Sequence, residues 1–208
     1  MFDTESLAIK AWCFVFAKMG YQNVQDIASK AIGLDETKTK GIFLEFFGKG
    51  FDFETAKTGR VNYVIDYVAK NGMPVKPGLY QLIDFLEAND YRITIATSTK
   101  REIVDYYLRN ADLTKHFPNF ISGDMVEHGK PHPEIYLKAC EILDISPDNC
   151  LALEDSPYGI TSAYRAGMKS VMIPDLLPPT TETEEKTVAT LNSLVDVIAL
   201  LKINKSAY

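Results

Sequence analysis

The chain has little cysteine, little histidine, a single tryptophan, no long apolar run and no excess of basic charge. Each shortage excludes something. The three cysteines, Cys13, Cys140 and Cys150, are odd in number and scattered, each within an apolar helix or strand pattern, which suits buried thiols and excludes a disulfide scaffold. Free thiols point to a reducing compartment, so the expected location is cytoplasmic. No apolar run approaches the roughly 20 residues of a spanning helix, and no basic segment followed by an apolar one opens the chain, so neither membrane insertion nor secretion is expected. The 22 basic side chains are outnumbered by 28 acidic ones, for a net charge of −6 without a basic stripe. Nucleic acid and anionic membranes are thereby excluded as partners, and any bound phosphate must be met locally. Of the three histidines, His128 and His132 have no third ligand at metal spacing in the sequence and read as loop residues.

What is present is enough for a proper core: 208 residues, of which 46% are hydrophobic. From Asp3 to about Met73 the period is helical. Leu7, Ala11, Phe14 and Val15 lie at i, i+4, i+7 and i+8, Gly20 is placed to stop that helix, and further helices are expected over 24–32, through Ile42–Phe47 and over 56–70, punctuated by Gly33, Gly48, Gly50 and Gly72. The period changes after MPVKPG, Met73 to Gly78. Leu79, Leu82, Ile83 and Leu86 form a helix stripe, and helix and strand then alternate. Strands are expected over Arg92–Thr97, Asn119–Ser122, Cys150–Glu154 and Ser170–Ile173, with helices over 102–109, 133–143 and 157–166 and near 191–201. Such alternation predicts an α/β fold, a Rossmann-like parallel sheet covered by helices, with those four segments in one sheet. The two domains divide as 1–76, helical, and 77–208, the sheet-bearing core. The polar tract PPTTETEEK, Pro178 to Lys186, reads as a solvated loop.

In an open α/β sheet, ligands collect beyond the carboxyl ends of the strands, and three such places carry chemistry. RITIAT runs into Thr97, Ser98 and Thr99, where hydroxyls and free N–H groups can hold an anion, or where Thr99 can simply cap the next helix. HGKPHPE sets Lys130 in a proline-stiffened loop, suited to a phosphate or to solvent. LALEDSP ends a strand on Glu154 and Asp155 before Ser156, a candidate N-cap, and Pro157. Unpaired carboxylates are costly to desolvate, so a cation is expected to compensate them, and Mg²⁺ fits a carboxylate pair better than Zn²⁺ or Ca²⁺; an acidic first helical turn is the bland alternative.

Hydroxyl, lysine and acidic pair in this order, in Thr97, GKPHPE and EDS, resemble the haloacid dehalogenase superfamily of phosphotransferases over nearly the whole chain, with closest similarity to its β-phosphoglucomutase-like branch. The resemblance implies a helical cap domain beside a Rossmann-like core, a small phosphorylated substrate, and Mg²⁺ held by Asp155 and Glu154. Thr97 and Lys130 would be catalytic, and Ser98, Thr99, Arg60 and Lys38 would contact phosphate or substrate, with Asp35 a further cap contact. The DTE at Asp3 to Glu5 is similar to the end of the family's opening signature, whose Asp-x-Asp-Gly run would precede MFDTE. That run supplies the nucleophile, the general acid/base and a central strand, so the expectation for the chain as written is a core without nucleophile and inactive. Ala8 stands where the mutases carry a histidine, which favours a phosphatase over a phosphomutase. A catalytically inactive phosphate- or Mg²⁺-binding relative is the remaining alternative.

Overall fold

A computed structural model describes residues 1–31, 36–175 and 177–203. Ile32, Gly33 and the cap candidate Asp35 lie outside the described residues. The chain divides into two compact units, Met1–Val75 and Lys76–Tyr208.

The first unit is helical: α1 (Thr4–Lys18), α2 (Gln25–Lys30), α3 (Glu36–Phe47) and α4 (Phe53–Asn71). On α1 the buried residues are Leu7, Ala11, Trp12, Val15 and Phe16, a stripe of helical period. Of these, Trp12, Val15 and Phe16 meet Phe43, Phe51, Phe53 and Ala56 in an aromatic core. Phe16 and Phe43 are wholly buried, and Phe43 presents its ring edge-on to Trp12 and Phe16 at centroid distances of 4.9 and 5.0 Å. α1 and α4 pack closely because Gly59 has no side chain: a Cβ there would lie 3.1 Å from Val15 Cγ2. Asp52 caps α4 by accepting the Thr55 N–H at 3.1 Å. The two ends of the unit meet where Phe2 bridges Val75 and the Asp3 N–H donates to Pro74 O.

In the second unit α5 (Leu79–Ala88), α6 (Arg101–Asn110), α7 (Glu134–Leu143) and α8 (Pro157–Arg165) surround a parallel ladder of β1 (Leu151–Glu154), β2 (Lys169–Met172) and β3 (Ala189–Thr190). The register pairs Leu151 with Lys169 and Val171 with Ala189. The expected α/β class with a parallel sheet is what the chain adopts. The expected single sheet of four segments is not. Residues 92–97 and 119–122 meet in one isolated parallel bridge, Ala96 to Ile121, held by Thr97 N–H to Ile121 O at 2.9 Å and Ile121 N–H to Ile95 O at 2.8 Å. A ladder needs consecutive paired residues, and here only one pair forms. The two β pieces nonetheless share one core, because Ile121 and Ala152 belong to one buried cluster with Ile135, Tyr136 and Ala139 of α7.

A second correction concerns the polar tract: Thr181–Lys186 is a helix, α9. Thr180 and Thr183 cap it reciprocally, Thr183 is 1% exposed, and Lys186 reaches Glu182 one turn back. A capping box with one buried threonine outweighs the polarity that suggests a loop. The tract then returns as β3, whose two residues are too few to show a period but which is flanked by the Val188 N–H to Ser170 O and Leu191 N–H to Met172 O bonds, both 2.8 Å. The chain ends, within the described residues, on α10 (Leu194–Ile203), which packs on α5.

Candidate functional site

Lys130 is the centre of the arrangement. Its ammonium donates to Ala96 O at 3.3 Å, one residue before Thr97, and also to Glu154 Oε1, so it ties the end of the 92–97 segment to the end of β1. The Lys130 and Glu154 side chains are 12% and 7% exposed. Three features hold the lysine there: its ammonium lies 5.0 Å from the Tyr136 ring centroid, the Arg165 guanidinium donates to Pro131 O, and the Ser162 hydroxyl donates to His132 O.

Glu154 already accepts three hydrogen bonds. Oε1 accepts from Lys130 and from the Tyr136 hydroxyl, and Oε2 accepts from the Ser156 hydroxyl at 3.2 Å. Burial, then the Glu154 charge, pushes the Tyr136 phenol well above its usual range, so it acts as a proton donor to the carboxylate. The carboxylate fits only because residue 159 is glycine, where a Cβ would stand 2.0 Å from Oε2. Ser156 does double duty: its hydroxyl also accepts the Gly159 N–H at 3.1 Å and caps α8, whose first residue is Pro157.

Asp155 is different. The residue as a whole is exposed and directly follows β1, yet its carboxyl is raised above the usual range, by partial desolvation first, then by the Glu154 charge, with a lesser push from Asp175. Asp175 itself is paired with Lys76 at 2.6 Å. Carboxylates crowded at a strand end, one with its oxygens open and one already neutralised, fit a hard divalent cation such as Mg²⁺ at Asp155, with Glu154 Oε1 engaged elsewhere.

At the end of the 92–97 segment Thr97 Oγ1 accepts the Thr99 N–H at 3.2 Å, and Ser98 is exposed. Thr99 does not cap α6. The N-cap position is Lys100, without a side-chain bond of its own, and the Arg101 N–H is taken at 3.0 Å by Asp124, which also accepts from the Ser122 hydroxyl at 2.6 Å. Thr99 O accepts the Gly123 N–H, and a Cβ on Gly123 would lie 2.2 Å from Ser98 O, so the two loops touch through backbone. This leaves the Ser98 and Thr99 side chains beside the end of the 92–97 segment.

The structure therefore brings together Thr97, Ser98, Thr99, Lys130, Glu154 and Asp155 within the second unit. Lys38 on α3 and Arg60 on α4 belong to the first unit, where the Arg60 guanidinium lies 5.4 Å from the Trp12 ring centroid. Asp3 is the N-cap residue of α1 and Ala8 lies within that helix. Sequence reasoning missed Tyr136, Ser156 as a partner of Glu154, and Asp124. The signal for Tyr136 was its place on the apolar, inward side of α7, with a hydroxyl that has to find a partner when buried.

The family model described as haloacid dehalogenase-like hydrolase matches residues 1–173. A phosphorylated carbohydrates phosphatase of Thermotoga maritima is 30% identical over 171 residues, 82% of this chain and 79% of that protein. A candidate pseudouridine-5′-phosphatase of Drosophila melanogaster is 30% identical over 182 residues, 84% of this chain and 78% of that one. Among solved structures, a candidate β-phosphoglucomutase from Thermotoga maritima superposes with a TM-score of 0.84 at 26% identity, covering 98% of this chain and 94% of that one.

Proposed function

Because the chain belongs to the haloacid dehalogenase-like hydrolases, we propose that it serves as a Mg²⁺-dependent phosphatase of a small phosphorylated metabolite, working through an aspartyl phosphate in the cytoplasm. The observation that carries this reading is the buried Lys130–Glu154 pair joining the end of the 92–97 segment to the end of β1, with the exposed Asp155 next to it. Glu154 and Tyr136 aim the Lys130 ammonium, which lies one residue from Thr97, so that a phosphoryl group arriving between them meets one cation and one hydroxyl. Asp155 holds Mg²⁺. When bound, the ion offsets the negative charge of phosphate and carboxylates. Glu154 aims Lys130 through Oε1, while Oε2, which accepts from Ser156, is the oxygen that can also serve the ion, directly or through water.

The family pattern implies a further carboxylate as the nucleophile. Thr97 and Lys130 orient phosphate, Asp155 is the cation's ligand, and Asp3 heads a helix of the first unit. In this reading the helical unit, Met1–Val75, is the cap that selects the substrate, with Lys38 and Arg60 as its candidate contacts. Water takes the phosphoryl group, in keeping with Ala8 at the position of the mutases' histidine. Similarity to a candidate β-phosphoglucomutase keeps transfer to a sugar hydroxyl as a second reading.

The test is hydrolysis of p-nitrophenyl phosphate with Mg²⁺, followed by a panel of sugar and nucleoside phosphates. Turnover should depend on Mg²⁺, and Asp155→Asn should abolish it. Full activity of Asp155→Asn would overturn the metal assignment.

A further inference from the structure

The loop that carries Lys130 has a second set of donors on its solvent side. His128 and His132 flank the lysine, and Glu134 opens α7. The sequence offers only two histidines there, but the fold brings a carboxylate to them. Glu134 Oε2 stands 3.3 Å from His128 Nδ1, the two imidazole centroids are 4.7 Å apart, and one donor atom from each of the three residues lies within 4.8 Å of the others.

We propose that His128, His132 and Glu134 bind one borderline divalent transition ion, with Zn²⁺ as its probe, clipping the Lys130 loop to the start of α7. Two imidazoles and one carboxylate form a donor set that favours Zn²⁺ and its neighbours over Mg²⁺ or Ca²⁺, which take oxygen. With metal–ligand bonds of about 2.0 to 2.1 Å, tetrahedral ligands stand roughly 3.4 Å apart, so the donors have to close by little more than an ångström. Both histidines are exposed, and side-chain rotation can supply this.

The carboxylate is already oriented. Oε1 accepts the Glu127 N–H at 3.0 Å and Lys138 at 2.9 Å, while Oε2 accepts the His128 N–H at 3.0 Å. Lys138, the cation closest to this carboxylate, therefore sits on the oxygen away from His128. Pro131 and Pro133 enclose His132 and reduce the backbone freedom that binding would have to remove. Such outer contacts orient a ligand before the ion arrives.

The experiment titrates Zn²⁺ into the 208-residue chain against a chromophoric chelator, with excess Mg²⁺ present to occupy hard oxygen sites. One equivalent should bind. His128→Ala and His132→Ala should each weaken it by about tenfold or more, with an unchanged far-ultraviolet circular dichroism spectrum. Cys140→Ser should leave binding unchanged. Co²⁺ in place of Zn²⁺ should give visible d–d bands without a thiolate charge-transfer band. Unchanged affinity in the doubly substituted His128→Ala, His132→Ala protein, or a thiolate band with Co²⁺, would overturn the proposal.

Discussion

Glu154 and Asp155 are adjacent carboxylates with opposite fates, and strand geometry separates them. Successive side chains of a strand point to opposite sides, so Glu154, the last residue of β1, turns inward to Lys130, Tyr136 and Ser156, while Asp155 faces the strand end. A buried ion pair is costly to break from one side, because the surviving charge loses its partner without regaining water. Glu154→Gln is therefore expected to cost about 3 to 5 kcal/mol in urea unfolding, whereas Lys130→Met combined with Glu154→Leu should restore most of the loss. Asp155→Asn, at an exposed position, should change stability little. Equal losses for Glu154→Gln and Asp155→Asn would show that the pair is not the buried element described here. The cysteines follow the same logic of burial. Cys140 Sγ lies 3.6 Å from Cys150 Sγ, and burial followed by the Cys150 contact pushes the Cys140 thiol up to about 12, which keeps it protonated and inert.

At the scale of elements, caps and tight contacts decide where helices begin. α7 starts at Glu134, whose carboxylate is lowered to about 2 by Lys138 first, then by the Glu127 N–H and the contacts from His128. Because the folded value lies below the ordinary 4.5, the contribution to stability is present above that pH. It is lost as the pH falls from there toward about 2. In chelator-treated buffer the melting temperature should drop further between pH 5 and pH 3 for the native protein than for Glu134→Gln; identical pH profiles would count against the anchor. Gly78 is the N-cap of α5, with φ of 85°, and a Cβ there would lie 2.5 Å from Val195 Cγ2 on α10. Gly78→Ala combines backbone strain with overpacking, and a loss of at least about 1 kcal/mol in chemical unfolding is expected.

At the scale of the molecule, each unit has its own core. The single tryptophan, Trp12, lies in the aromatic core of the first unit, so its fluorescence reports the unfolding of that unit. Phe43→Ala removes a wholly buried ring that meets both Trp12 and Phe16, and should destabilise the fluorescence-monitored transition by about 3 to 5 kcal/mol. A transition unmoved by this substitution would show that Trp12 is not held in that core. In the second unit a positive group is fixed at the end of β1 although the chain is net negative, because Lys130 is held by Glu154, Ala96 O and the Tyr136 ring.

The sequence by itself determined the class of fold, the kinds and order of most elements, and the residue types gathered at the strand ends. Those signals are local: a helix buries every third or fourth residue, a strand every second, and Ser156-Pro157 marks a helix start wherever it lies. β3 and α9 escaped because two residues carry no period and because the buried Thr183 makes a polar tract helical. Only the tertiary structure decided which charge meets which. Glu154 is 24 residues from Lys130, Asp124 is 23 from the N–H of Arg101 that it caps, and Ala96 O is 34 from the ammonium that it receives. Such pairings depend on the path of whole loops over a shared core. So does the division of labour in the acidic pair, where one carboxylate is neutralised internally and its neighbour is left open to a cation.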